Sequence, residues 1–160
     1  MNNVILILGG NLGDTEKNIT DAIAHIEKKI GKIKKRSALY KTAAWGKTDQ
    51  PDFLNCVIAI STELTAKTVL KNILEIEKIA GRQRTTKYAP RTIDIDILFY
   101  NNEVINHYDL IIPHPLLHQR KFVLVPLAEI EPEFVHPVFK KPIMKLNNEC
   151  RDELNVERFR

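Results

Sequence analysis

Two stretches with the 3.6-residue repeat of a helix, each opened by a capping side chain and closed by a glycine, occupy equivalent places between β-type runs. That order restricts the chain to few folds. The first stretch follows Asp14 and Thr15, carries Ile19, Ala22, Ile23, Ile26 and Ile30 on one stripe, and ends at Gly31. The second follows Thr65, repeats Val69, Ile73, Ile76 and Ala80, and stops at Gly81. Around them lie apolar runs of strand character, Val4 to Leu8, Ile33 to Tyr40, Phe53 to Leu64 and Ile93 to Phe99, and Gly9 to Gly13 reads as a tight turn. The order predicts an α+β domain with a ferredoxin-like βαββαβ core, an antiparallel sheet with helices packed on it. Extra short strands near Glu103 to Ile105 and Leu110 to Ile112, and short helical pieces between Leu116 and Ile130, are expected in the carboxyl-terminal third. The fold alone decides nothing about function.

A chain of 160 residues, 44% hydrophobic and 28% charged, is long enough for one domain over 1–160 with a real core. Its two cysteines are far apart, Cys56 inside an apolar run and Cys150 near the end, so neither a disulfide framework nor a cysteine metal site is expected. A reducing cytoplasm is the expected setting. The run Val4 to Leu8 is too short for a signal peptide, and no segment approaches a membrane span.

The run Pro90-Arg91-Thr92-Ile93-Asp94-Ile95-Asp96-Ile97-Leu98-Phe99 places two carboxylates in an otherwise apolar, β-branched strand. Alternation puts Asp94 and Asp96 on one face, about 6.6 Å apart, with Ile93, Ile95 and Ile97 on the other. Two like charges so close need cations, and the spacing suits a pair of metal ions holding a polyphosphate. A lone Asp-x-Asp is more often a solvated strand face; the neighbouring sequence changes that balance. From Lys78 to Arg91 there are five cations and no acid, in a chain whose whole surplus is 24 basic against 20 acidic residues, net +4. Charge so localised fits a small anionic ligand better than a nucleic-acid track. Arg82, Arg84 and Arg91 offer planar forks for phosphate oxygens, opposite a hard cation held by the aspartates.

Two long segments, Lys41 to Asp52 and Gly81 to Pro90, read as binding loops. The first contains the only tryptophan, Trp45. Phe53 and Asn55 follow on one face of a strand, a ring and an amide of the kind a flat heterocycle requires, although core packing and a polar strand edge are the better account of such a pair standing alone. Gly9 to Gly13 lacks the Lys and Ser or Thr of a phosphate-binding Walker loop. His114 sits in a rigid Pro113-His114-Pro115 turn; His25 and His136 read as incidental, and His107 and His118 show no metal-ligand spacing. Glu77 lies near the carboxyl end of its helix, where the dipole disfavours it.

Taken in order, Gly9-Gly10-Asn11-Leu12-Gly13, Asp49-Gln50-Pro51-Asp52-Phe53-Leu54-Asn55, Gly81-Arg82, Pro90-Arg91-Thr92-Ile93-Asp94-Ile95-Asp96, Pro113-His114-Pro115, Arg120 and Phe122 resemble the 6-hydroxymethyl-7,8-dihydropterin pyrophosphokinase family of folate biosynthesis. The match runs over nearly the full chain. The resemblance implies transfer of pyrophosphate from ATP to the hydroxymethyl group of the pterin, with AMP as the other product. It implies two Mg²⁺ on Asp94 and Asp96, with Arg82 and Arg91 joining them as catalytic groups. ATP would be contacted by Arg82, Arg91, His114 and Arg120, and also by Glu77, Arg84, Tyr88 and Ile97. Phe53 and Phe122 would sandwich the pterin, Asn55 would bond its edge, and Thr42, Ala43 and Trp45 would complete the pocket. A monomer acting on small molecules, with no nucleic-acid or membrane partner, is the corresponding expectation. Gly10 replaces the family's usual serine, Ala43 and Ala44 stand where proline is common, and Lys87-Tyr88 replaces an Arg-Trp pair.

Two other classes fit the fold. An RNA-binding sheet would need the aromatic and basic surface pattern that is missing here, and its phosphates would meet Asp94 and Asp96. A regulatory module would bind a ligand and turn nothing over.

Overall fold

The computed structural model describes residues 1–43, 51–81 and 92–160. The chain runs β1 (Asn2–Gly10), α1 (Thr15–Lys29), β2 (Lys32–Arg36), β3 (Tyr40–Thr42), β4 (Phe53–Thr62), α2 (Ala66–Ile79), β5 (Asp94–Tyr100), β6 (Ile105–His107) and β7 (Leu110–Ile112). A 3-10 turn at Leu117–Gln119, α3 (Lys121–Ile130), α4 (Ile143–Glu149) and β8 (Val156–Arg158) complete it. The main sheet has the order β5-β1-β4-β3-β8, with β2 also paired to β4, and every pairing is antiparallel. This is the ferredoxin-like βαββαβ order expected from the helical and strand repeats.

β1 is apolar throughout because both of its faces are covered. Val4, Leu6 and Leu8 pack under α1 and α2 with Ile19, Ile26, Ile73 and Ile76, while Ile5 and Ile7 face Leu124, Leu127 and Ile143 of α3 and α4. The carboxyl-terminal helices therefore form a third layer on the sheet. The cap residues act as their sequence implies: Asp14 accepts the Lys17 amide at 3.2 Å, Thr65 accepts that of Thr68 at 3.2 Å, and Gly81 leaves α2 with φ +83°.

Two expectations are corrected. Gly9 and Gly10 do not belong to a turn but end β1, since Gly9 is paired with Asn55 on one side and Asp94 on the other. The run Ile33 to Tyr40 is not one strand. It breaks at Ser37, whose hydroxyl takes the Val57 amide at 2.9 Å in place of a strand neighbour, so β2 and β3 pair with successive parts of β4 and Lys41 and Thr42 leave the loop for β3. Leu98 forms a bulge between pairs Leu6–Ile97 and Ile5–Phe99, and brings both Leu98 and Phe99 to the α3 side.

Candidate active site

The register of three strands assembles the site. On the face that α3 covers, Asn55, Gly9 and Asp94 lie side by side, and Val57, Ile7 and Asp96 form the next row. Asp94 and Asp96 are half-buried on this face, whereas Ile95 and Ile97 are buried beneath α1 and α2, as alternation in the sequence predicts. Gly9 is required where it stands. A β-carbon there would collide with the Asn55 carboxamide and come within 2.9 Å of the Leu54 carbonyl.

Asn55 (6% exposed) and Thr42 (4% exposed) are both buried, and neither side chain makes a hydrogen bond among the described residues. Buried polar groups in folded proteins are almost always paired, so two orphans on one wall point to a ligand edge. Thr42 is directly opposite Phe53 across β3 and β4, and Tyr40 is opposite Asn55, so all four share the α3 face. Tyr40 fixes that wall: its hydroxyl donates to Glu129 of α3 at 2.6 Å, and Glu129 also accepts the Ala38 amide at 3.1 Å. Burial, reinforced by Glu129, pushes the Tyr40 phenol up to about 12. Phe122, in the first turn of α3, is half-buried like Phe53, and the Arg120 guanidinium lies 5.6 Å from its ring centre. Ala43 is exposed at the end of β3.

His114 follows β7, its amide donating to the Leu98 carbonyl at 3.2 Å. Burial and the Arg120 charge push its imidazole down to about 4, with Asp94 pulling the other way, so these three groups share one neighbourhood. His114 Nδ1 accepts the Leu116 amide at 3.3 Å, which leaves Nε2 of the neutral ring as a donor. Glu77 (3% exposed) reaches from α2 to accept the amide of Ile95 at 2.8 Å, between the two aspartates. The Ile97 side chain lies on the opposite face from the dyad, so a nucleotide contact there would be through its main chain. Trp45, Arg82, Arg84, Tyr88 and Arg91 lie outside the described residues.

An open cavity of about 330 Å³ flanks α2, with Leu70 and Leu74 as its apolar part and Lys67, Lys71 and Lys78 around it. Glu75 and Asp109 also line it, so its rim carries charges of both signs.

The model of the 7,8-dihydro-6-hydroxymethylpterin-pyrophosphokinase (HPPK) family matches residues 5–132. The chain belongs to that family. Within the HPPK family, 2-amino-4-hydroxy-6-hydroxymethyldihydropteridine pyrophosphokinase of Aquifex aeolicus is 42% identical over 149 residues, covering 93% of this chain and 92% of the relative. The protein of the same name from Methylorubrum extorquens is 43% identical over 136 residues, covering 84% and 86%. The fold matches that of the wild-type Plasmodium falciparum HPPK-DHPS crystal structure with a TM-score of 0.73 at 20% identity, covering 92% of this chain and 44% of that one. These HPPK matches agree with the family expected from the motifs.

Proposed function

We propose that the chain transfers the pyrophosphoryl group of ATP to the hydroxymethyl oxygen of 6-hydroxymethyl-7,8-dihydropterin, a step of folate biosynthesis. The observation that carries this reading is the row Asn55, Gly9, Asp94, which sets a buried amide, unpaired among the described residues, beside a carboxylate pair in a chain of this family. The hydroxymethyl oxygen attacks the β-phosphorus in line, the bond between that phosphorus and the α,β-bridging oxygen breaks, and AMP leaves. One of the dyad carboxylates is the acceptor for the hydroxyl proton.

Asp94 and Asp96 fit Mg²⁺. They are hard oxygen donors, half open to solvent, as suits an ion that keeps water and phosphate oxygens as its other ligands. Two such ions would neutralise the polyphosphate and lower the pKa of the hydroxyl. Asn55 and Thr42 supply donors and acceptors to the pterin edge, Phe53 and Phe122 stack on its faces, and Ala43 and Trp45 complete the pocket. His114 offers a neutral Nε2–H and Arg120 a fixed charge to the phosphates, joined by Glu77, Arg82, Arg84, Tyr88, Arg91 and the main chain at Ile97. Arg82 and Arg91 act with the dyad on the developing charge. The protein works as a monomer in the cytoplasm.

Incubation with ATP, Mg²⁺ and 6-hydroxymethyl-7,8-dihydropterin should yield AMP and the pterin diphosphate. Formation of ADP, or no nucleotide product from folded protein, rejects the assignment.

A further inference from the structure

The helix that carries Phe122 has no local cap. Arg120 at its N-cap makes no side-chain hydrogen bond to the helix, and the first turn of α3 contains no acidic residue. The missing acceptor comes from the end of the chain: Asp152 Oδ2 accepts the Lys121 amide at 3.0 Å, while its Oδ1 accepts the Leu154 amide at 3.0 Å. The Lys121 side chain is held from the same direction, its Nζ donating to the carbonyl of Asn147 and, at 3.1 Å, to the Asn147 side-chain oxygen. Lys121 is the residue between Arg120 and Phe122, so both its main chain and its side chain are fixed by residues 147–152.

Just beyond Leu154 the same segment becomes β8 and pairs with β3, Val156 opposite Thr42 and Arg158 opposite Tyr40. One stretch of chain thus braces both walls of the proposed pterin pocket, the strand wall with Thr42 and the helix wall with Phe122. A carboxylate at a helix amino terminus satisfies an orphan amide and opposes the helix dipole, and both effects fall off within the first turn, where Arg120 and Phe122 sit.

We propose that Asp152, which lies beyond the part of the chain matched by the family model, is a positioning residue that sets the start of α3 and through it the aim of Phe122 and Arg120. It acts through Lys121 and touches no substrate. The inference rests on the proposed function for the identity of the ligand.

The test compares Asp152→Ala, Asp152→Asn and the distant surface variant Asp21→Ala, at a temperature well below the unfolding of each. Asp152→Ala is expected to raise the dissociation constant of 6-hydroxymethyl-7,8-dihydropterin about 5- to 20-fold, Asp152→Asn to recover most of that loss because its amide oxygen still accepts, and Asp21→Ala to bind as wild type. Amide hydrogen exchange at Lys121 and Phe122 should be faster in Asp152→Ala and near normal in Asp152→Asn, a readout independent of substrate. Should Asp152→Ala not fold, Asp152→Ser, with a shorter acceptor, replaces it with the same expected direction. An active wild type whose Asp152→Ala variant binds the pterin within twofold of normal, even with a lowered Tm, overturns the positioning role alone. A wild type that neither binds the pterin nor forms AMP overturns the proposed function and this role with it.

Discussion

The carboxamide of Asn55 occupies the space above Gly9 that the β-carbon of any other residue would fill. The glycine and the amide are partners across two strands: one gives up its side chain so that the other can lie flat on the sheet beside Asp94.

Gly9→Ala should therefore displace Asn55 and press on the Leu54 carbonyl, which is main chain and yields less readily. We expect stability to fall by about 1 to 3 kcal/mol, and pterin binding to weaken much more than ATP binding. Isothermal titration with each ligand separates the two. Asn55→Ala should reproduce the binding loss, because an unpaired heterocycle edge costs about 1 to 3 kcal/mol, without the loss of stability.

Asp94→Ala and Asp96→Ala should each reduce AMP formation by on the order of 10³-fold at saturating Mg²⁺. Their half-exposed side chains lie outside the core, so Tm should change little. Near-normal turnover in either variant would contradict the metal-binding role.

Glu77 gives a sharper contrast between isosteres. Glu77→Ala strands the Ile95 amide inside the protein and should destabilise it by about 1 to 3 kcal/mol, whereas Glu77→Gln keeps an acceptor in place and should lose less. Urea denaturation of both variants measures the difference, and equal losses would show that the charge rather than the acceptor matters.

Acid should weaken the fold through the buried His136. His136 is 3% exposed, its Nδ1 accepts the amides of Val138 and Phe139 at 3.1 and 3.2 Å, and burial, with His118 adding to it, pushes its imidazole down to about 4. The unfolded chain binds a proton near pH 6.5 that the folded chain refuses until about pH 4, so the contribution is full above 6.5 and is lost as pH falls through that window. His136→Asn, which keeps an acceptor and removes the titration, should flatten the pH dependence of unfolding there by up to about 1.4 kcal/mol per pH unit. His114, also held at about 4, remains neutral through the same range, so a rate change between pH 5.5 and 8 should survive His114→Gln.

The parts of the site legible in sequence were those written in a single element. Asp94 and Asp96 declared their shared face by period-two alternation within β5, and α2 declared its limits by Thr65 and Gly81. Gly9 and Gly10 were misread because glycine ordinarily weakens a strand, and the reason it is tolerated here is a side chain 46 positions away, at Asn55 in the paired strand β4. The break at Ser37 was hidden likewise, since only the Val57 amide reveals that its hydroxyl replaces a backbone partner. Asp152 was invisible for the same reason, capping a helix that begins 31 residues earlier.

An apolar strand at the border of a sheet invites pairing with another molecule, and β5, rich in isoleucine and ending in Leu98, Phe99 and Tyr100, is such a border. Two of its outward main-chain groups are already taken, the Ile95 amide by Glu77 and the Leu98 carbonyl by the His114 amide, and Asp94 and Asp96 add like charge between them. Groups proposed to hold ATP and metal would thus double as guards against aggregation. A mutation that disarms them would endanger yield in a crowded cell as well as turnover, and poor expression of such a variant would reflect an opened edge as much as a lost function.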